Sequence, residues 1–154
     1  MLTGGGQEST LRAGTENVTG IIGLTKALEI ANAGIQEKIK NVQVIKTYFI
    51  EQLAKKIKGT CFNGDISPEG GLYTVLNVSL PPSKKSSTLL FQLDINGVFA
   101  SGGSACNSGA MGSSHVLTGI NHPDNRSVVR FSFSKYTTTE EVDYAIDILK
   151  ELIK

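Results

Sequence analysis

The chain has 154 residues, 40% of them hydrophobic, which suits a single compact domain that buries roughly 70% of its unfolded surface. Fifteen basic and fourteen acidic residues leave a net charge of +1, so no long-range field attracts nucleic acid or an anionic membrane, and we expect direct binding to neither. No run approaches the roughly 20 apolar residues of a membrane span and the N-terminus lacks the pattern of a secretory signal, so we expect a soluble, cytoplasmic protein with reduced thiols.

The first part of the chain is predicted to be helical. Apolar residues recur at helical spacing over residues 17–58 and predict two helices, or one long kinked helix. A short strand is predicted at Cys61, whose thiol we expect to be buried because most free cysteines are. Residues 72–80 alternate in polarity and predict a second strand, which ends at two prolines because proline removes ladder donors.

The second part of the chain mixes helices and strands. The patterns predict a helix over residues 88–94, a short strand over 98–100, a short helix over 113–117 and a strand over 127–133. Thr138 or Thr139 is expected to cap a last helix that runs to the end of the chain and packs on the sheet. The fold class is therefore predicted to be α+β, with a small, mainly antiparallel sheet covered by helices.

Cys106 lies in a run of small residues that is well suited to present a thiol. Eight of the ten residues 100–109 are Gly, Ala or Ser, so the segment lacks the apolar neighbours that burial needs, and we expect an exposed, mobile loop. Neither cysteine belongs to a Cys-x-x-Cys pair, and the two histidines follow Cys106 at nine and sixteen residues. We therefore expect no metal site, because structural zinc needs four closely placed ligands.

Two further residues have both an ordinary and a functional interpretation. Arg130 on the last strand is either a solvent-facing arginine or a guanidinium presented to a carboxylate, and the alternation of the strand does not decide between them. Thr15 stands just before the long helices, where a hydroxyl suits an N-cap, the commoner role, or a phosphate contact. The preceding triple glycine is not a phosphate loop, since no Gly-Lys-Ser/Thr follows it.

Several separated segments, taken in order, resemble the C-terminal part of a cysteine desulfurase, a member of the class V aminotransferase family of pyridoxal-phosphate (PLP) enzymes. The resemblance covers nearly the whole chain. Its motifs lie at residues 4–8, 12–17, 76–79, 101–106, 114–117, 129–132 and 137–143. The resemblance implies the small C-terminal domain of a PLP-transferase of fold type I, in a homodimer that converts L-cysteine to L-alanine.

The resemblance also implies roles for three residues. Cys106 matches the nucleophile that takes the sulfur of L-cysteine as a persulfide, for transfer to a sulfur-acceptor or iron–sulfur scaffold protein or for tRNA thiolation. Arg130 matches the arginine that holds the substrate carboxylate. Thr15 matches a threonine that reaches the PLP phosphate of the partner subunit. These assignments agree with the chemistry, because a travelling thiolate needs a mobile loop and PLP supplies the electron sink.

The chain also departs from the family pattern. None of its lysines lies in the Ser-x-His-Lys context of the Schiff-base lysine, and the large PLP-binding domain is missing. We therefore expect residues 1–16 to contribute to the cofactor site of an intact dimer and residues 17–154 to form the small domain. Alone, the chain is expected to bind no PLP and to be inactive. The alternatives are a non-catalytic sulfur-carrier or interaction domain and a fragment of a selenocysteine lyase.

Overall fold

The computed structural model describes residues 3–67, 70–102 and 114–153. The helices are α1 (Val18–Asn32), α2 (Ile35–Lys56), α3 (Leu89–Ile95), α4 (His115–Gly119) and α5 (Thr139–Ile153). The strands are β1 (Cys61–Asn63), β2 (Val75–Leu80) and β3 (Ser127–Ser132), and two short 3₁₀ turns lie at Gln7–Thr10 and Ser86–Thr88. The chain divides into two compact units, residues 1–36 and 37–154. The predicted role of residues 1–16 in an intact dimer stays a prediction.

The first unit consists of the glycine-rich entry and α1. Gly34 has a positive φ of 67° and occupies the break between α1 and α2, so the prediction of two helices over residues 17–58 is confirmed. Six large apolar side chains of α1 are more than half exposed: Val18, Ile21, Ile22, Leu24, Leu28 and Ile30. Among the described helices, none is long and apolar enough by itself to cross a membrane, and α1 with α2 passes that test only as a bent pair, by length and composition.

The second unit is built on a three-stranded antiparallel sheet in the order β1-β2-β3. Successive side chains of a strand point to opposite faces, so each strand contributes to an apolar and a polar face. Leu76, Val78 and Leu80 of β2 and Val129 and Phe131 of β3 are buried on the apolar face. The predicted α+β class, with a small antiparallel sheet and helices, is confirmed.

Helices α2, α3 and α5 supply most of the remaining core side chains. Phe49 of α2 packs against Phe131, with the ring centroids 4.8 Å apart, and Leu53 of the same helix is fully buried. Ile146 and Leu149 of α5 are also fully buried. The whole core cluster falls between residues 42 and 152, and α5, which was predicted to pack on the sheet, shares this core with the strands.

The strand predicted over residues 98–100 is wrong. The backbone N–H of Val98 donates to the carbonyl of Leu93 at 2.9 Å, in the turn that closes α3, so it is not available for a sheet ladder. Gly97, with a φ of 72°, makes that turn, and Phe99 is 85% exposed. Pairing starts only at Ser101, which forms a single antiparallel bridge with Arg130.

Candidate functional site

The face of the sheet opposite the core carries a row of polar side chains. Asn63 of β1 lies opposite Asn77 of β2, and Asn77 lies opposite Arg130 of β3. We call these three residues the polar row. All three are half-buried, and the side-chain amide of Asn63 donates to Oδ1 of Asn77 at 2.7 Å. The polar row therefore lies on the face of the sheet opposite the apolar core.

The backbone of Arg130 is held by two hydrogen bonds to Ser101. Its N–H donates to the carbonyl of Ser101 at 2.6 Å, and its carbonyl accepts from the N–H of Ser101 at 3.1 Å. Within the described part of the chain, the guanidinium has no hydrogen-bond or ion-pair partner, because every ion pair there is made by Arg12, Lys26 or Lys56. A half-buried guanidinium with no ion-pair partner in that part of the chain is available to an anion from outside.

A second polar cluster stands beside the row, around Ser79. Ser79 is 1% exposed, and its hydroxyl accepts from Nε of Arg126 at 2.7 Å and lies 2.7 Å from Nε2 of His122. Arg126 also donates through Nη2 to the carbonyls of Gly59 at 2.5 Å and Ser79 at 2.8 Å. These bonds tie the segment before β3 to β2 and to the start of β1, so Arg126 serves the architecture of this face.

The contacts of Arg126 and His122 with Ser79 are not predicted by the sequence patterns. The available signal was a serine between two apolar residues in a strand, because a buried hydroxyl needs a hydrogen-bond partner. Finding that partner requires the tertiary contact, since His122 and Arg126 lie 43 and 47 residues further along the chain.

Cys61 is exposed, which corrects the expectation that it is buried. It lies on the edge strand β1 and on the polar face, opposite Ser79, while the neighbouring Phe62 packs towards the core. Cys106 and most of its loop lie outside the described residues, which end on that side at Gly102 and resume at Ser114. The predicted role of Cys106 therefore stays a prediction.

Thr15 belongs to the first unit and is exposed. The N-cap of α1 is Asn17, whose side chain accepts from the N–H of Gly20 at 3.0 Å, so the interpretation of Thr15 as a cap is wrong. The preceding turn is held by Arg12, which forms an ion pair with Glu16 and donates to the carbonyl of Gly14 at 2.8 Å. The phosphate role of Thr15 stays a prediction.

The described residues do not form a complete site for PLP. The positions on the polar face of the three strands contain no lysine that could anchor the cofactor. A cavity of about 490 Å³ lies elsewhere, on the core side, where Phe49, Phe131 and Phe133 line it beside the start of α5. Across residues 3–67, 70–102 and 114–153, no cluster of His, Cys, Asp or Glu could hold a metal ion.

Comparison with known proteins gives consistent matches. The family described as Aminotransferase class-V matches residues 3–145. The cysteine desulfurase IscS of Dictyoglomus turgidum is 39% identical over 156 residues, which cover all of this chain and 39% of that protein. The cysteine desulfurase IscS of Methanosarcina thermophila is 40% identical, with 38% of its length covered. The chain thus spans about two fifths of the length of the curated relatives it matches.

Solved structures agree with these relatives. A NifS-like protein superposes with a TM-score of 0.77 at 31% identity, covering 99% of this chain and 38% of that one. The NifS-like protein from Rickettsia africae gives a TM-score of 0.74 at 25% identity, covering 99% of this chain and 39% of that one. The arrangement of helices around a small antiparallel sheet is therefore shared with NifS-like proteins.

Proposed function

Because this chain belongs to the aminotransferase class-V family, we propose that it forms the small C-terminal part of a PLP-dependent cysteine desulfurase. The longer protein converts L-cysteine to L-alanine and leaves the sulfur on the enzyme as a persulfide. The observation that carries this proposal is similarity over the full chain to cysteine desulfurases, at 39% and 40% identity. The polar row supports it, since the guanidinium of Arg130, which has no ion-pair partner among the described residues, suits the carboxylate of an amino acid.

In this proposal Arg130 binds the carboxylate of the substrate. The planar guanidinium donates two parallel N–H bonds to a carboxylate and so fixes its orientation as well as its position. The backbone bonds to Ser101 hold β3 in place beneath the side chain. Arg130 thereby fixes the orientation of the bound amino acid, and with it the direction in which the substrate sulfur points.

Cys106 accepts the sulfur. Its thiolate attacks the sulfur of L-cysteine; an S–S bond forms as the carbon–sulfur bond breaks, and the carbon takes up a proton to give L-alanine. The step is balanced, because one thiol and one molecule of L-cysteine give one persulfide and one molecule of L-alanine. In the sequence, Cys106 follows by five residues Ser101, which forms the bridge with Arg130.

PLP, when bound, supplies the electron sink for this chemistry. Its anchoring lysine is assigned to the part of the protein beyond this chain, and Thr15 is assigned to the cofactor phosphate of the partner subunit in a homodimer. The persulfide is then passed to a sulfur-acceptor or iron–sulfur scaffold protein, or used for tRNA thiolation. We place these reactions in the cytoplasm, where thiols such as the exposed Cys61 stay reduced.

A chimeric enzyme tests the proposal. The matching two fifths of the Dictyoglomus turgidum cysteine desulfurase are replaced by this chain, and cofactor absorbance, alanine release and persulfide are measured. We expect the chimera to show cofactor absorbance, alanine release and persulfide formation. We expect Cys106→Ser to abolish alanine release and persulfide formation and to leave cofactor absorbance unchanged. Cys61→Ser is the matched control and retains activity, because Cys61 lies on the edge strand, outside the polar row.

Two results would contradict the proposal. One is a chimera that folds and binds PLP but releases no alanine from L-cysteine. The other is persulfide formation that persists in the Cys106→Ser variant. A chimera that acts only on selenocysteine would favour a selenocysteine lyase, and labelling of Cys106 in the isolated chain by an active desulfurase would favour a sulfur carrier.

A further inference from the structure

The register of the sheet places Asn77 of β2 directly opposite Arg130 of β3. In an antiparallel pair, opposed residues either exchange both backbone hydrogen bonds or neither, and side chains approach more closely in the second kind. Both backbone bonds of Arg130 go to Ser101, on the side of β3 that faces away from β2. Asn77 and Arg130 are therefore a pair of the second kind, with their Cβ atoms about 4.5–5.5 Å apart.

On the β1 side, the hydrogen bond with Asn63 determines which group of the Asn77 side-chain amide remains free. Its Oδ1 accepts from Nδ2 of Asn63 at 2.7 Å, in a half-buried contact. The group left over is the amide NH₂, which has no partner among residues 3–67, 70–102 and 114–153. The guanidinium of Arg130 has none there either and carries only donors. Two half-buried donor groups on opposed residues thus have no acceptor in the described part of the chain, which is the arrangement that a carboxylate satisfies.

We infer that Asn77 is a second substrate-binding residue, which donates an amide N–H to the same carboxylate that Arg130 holds. Asn63 positions it, because its hydrogen bond to Oδ1 turns the NH₂ towards the ligand. The ligand class is the α-carboxylate of an amino acid. The inference rests on the proposed function, since it assigns Asn77 to the carboxylate end of that substrate.

The test uses the ¹⁵N-labelled 154-residue chain, titrated with L-alanine and followed by NMR through the Nε–H of Arg130 and the side-chain NH₂ of Asn77. L-alaninamide, which has the same amine and methyl group but no carboxylate, is the control ligand. We expect both signals to move with L-alanine and neither with L-alaninamide. Asn77→Leu is expected to weaken the binding reported by Arg130 roughly 10-fold. Asn125→Leu, at an exposed position outside the polar row, leaves the binding unchanged.

Asn77→Asp provides a second variant of nearly equal shape. Its carboxylate pairs with Arg130 and repels the ligand, so we expect a larger loss of binding than in Asn77→Leu. Movement of the Arg130 signal alone, with Asn77 unmoved and binding by Asn77→Leu unchanged, overturns the inference and leaves the proposed function standing. No movement of either signal overturns the inference alone, because the proposed function is tested by the chimeric enzyme.

Discussion

Lys46 is a buried cation in the middle of α2. It is 6% exposed, and its Nζ donates to the carbonyl of Leu72 at 3.1 Å. Burial lowers the pKa of Lys46, because it disfavours the charged form, and the negative charge of Asp65 offsets only part of this effect. The unfolded chain thus binds this proton more tightly than the folded chain does.

The sign of the pH dependence follows from that difference. A lysine with a lowered pKa costs stability at neutral pH, and the cost disappears as the pH rises through the folded pKa towards the ordinary value of 10.5. We therefore predict that the wild-type chain gains stability relative to Lys46→Met over this range, as measured by urea unfolding. Lys55→Met, at an exposed position on the same helix, is the control and shows no such trend. A difference that is constant with pH would contradict the prediction.

A second prediction for a single residue concerns Arg130. Lysine keeps the charge but loses the two parallel donors, so in the chimeric enzyme Arg130→Lys is expected to raise KM for L-cysteine roughly 10- to 100-fold. This range corresponds to the about 1.5–3 kcal/mol of a hydrogen bond to a charged group. Ser132→Ala, two residues along the same strand face, should leave KM within twofold. An unchanged KM in Arg130→Lys would remove Arg130 from the carboxylate site.

At the scale of single elements, α5 begins with a reciprocal cap. The N–H of Glu141 donates to Oγ1 of Thr138 at 3.3 Å, and the N–H of Thr138 donates to a carboxylate oxygen of Glu141 at 3.0 Å. Two N–H groups that the helix itself leaves unpaired are satisfied in this way. Thr138 is therefore the cap, one of the two residues that the sequence offered.

We predict that Thr138→Ala lowers the free energy of unfolding by about 1 kcal/mol, the usual cost of losing a helix cap. Thr47→Ala is a matched control, because Thr47 is exposed in the middle of α2, where alanine favours the helix by a few tenths of a kcal/mol. The two threonine substitutions should therefore change the free energy of unfolding in opposite directions. Equal effects in urea unfolding would show that the cap of α5 contributes no stability.

The elements differ in how far the sequence predicts them, for physical reasons. Helices α1, α2 and α5 follow from local periodicity and capping residues, which act over a few positions. The pattern over residues 98–100 misleads, because the hydrogen bond from Val98 to Leu93 closes α3 instead of joining the sheet. Cys61 is misjudged because alternation shows that a strand has two faces but not which face meets the core.

The candidate site, too, is only partly predictable from the sequence. Arg130 and Asn77 both belong to motifs that the sequence presents, but they are 53 residues apart, and only the register of the sheet makes them neighbours. Ser79 and Arg126 are likewise joined only by tertiary contact. Sequence patterns supply the chemistry of the candidate residues, and long-range strand pairing decides which of them act together.

For the whole molecule, the location of the hydrophobic core in the second unit sets the stability. Every described residue of the hydrophobic core cluster lies between Val42 and Leu152, and α1 contributes none. The two faces of the sheet then have separate tasks. The apolar face holds the second unit together, and the polar face carries Arg130 and Asn77, the residues that we propose bind the substrate.

This division predicts that the second unit folds without the first. A chain of residues 35–154 should unfold in urea in one cooperative transition at nearly the same midpoint as the full chain, because no core side chain is removed. It should also bind less of a hydrophobic dye, since the exposed apolar side chains of α1 are gone. The matched control removes α5, which carries Val142, Ile146, Leu149 and Leu152, and should abolish the transition. A large drop of the midpoint in the 35–154 chain would show that residues before α2 stabilise the core.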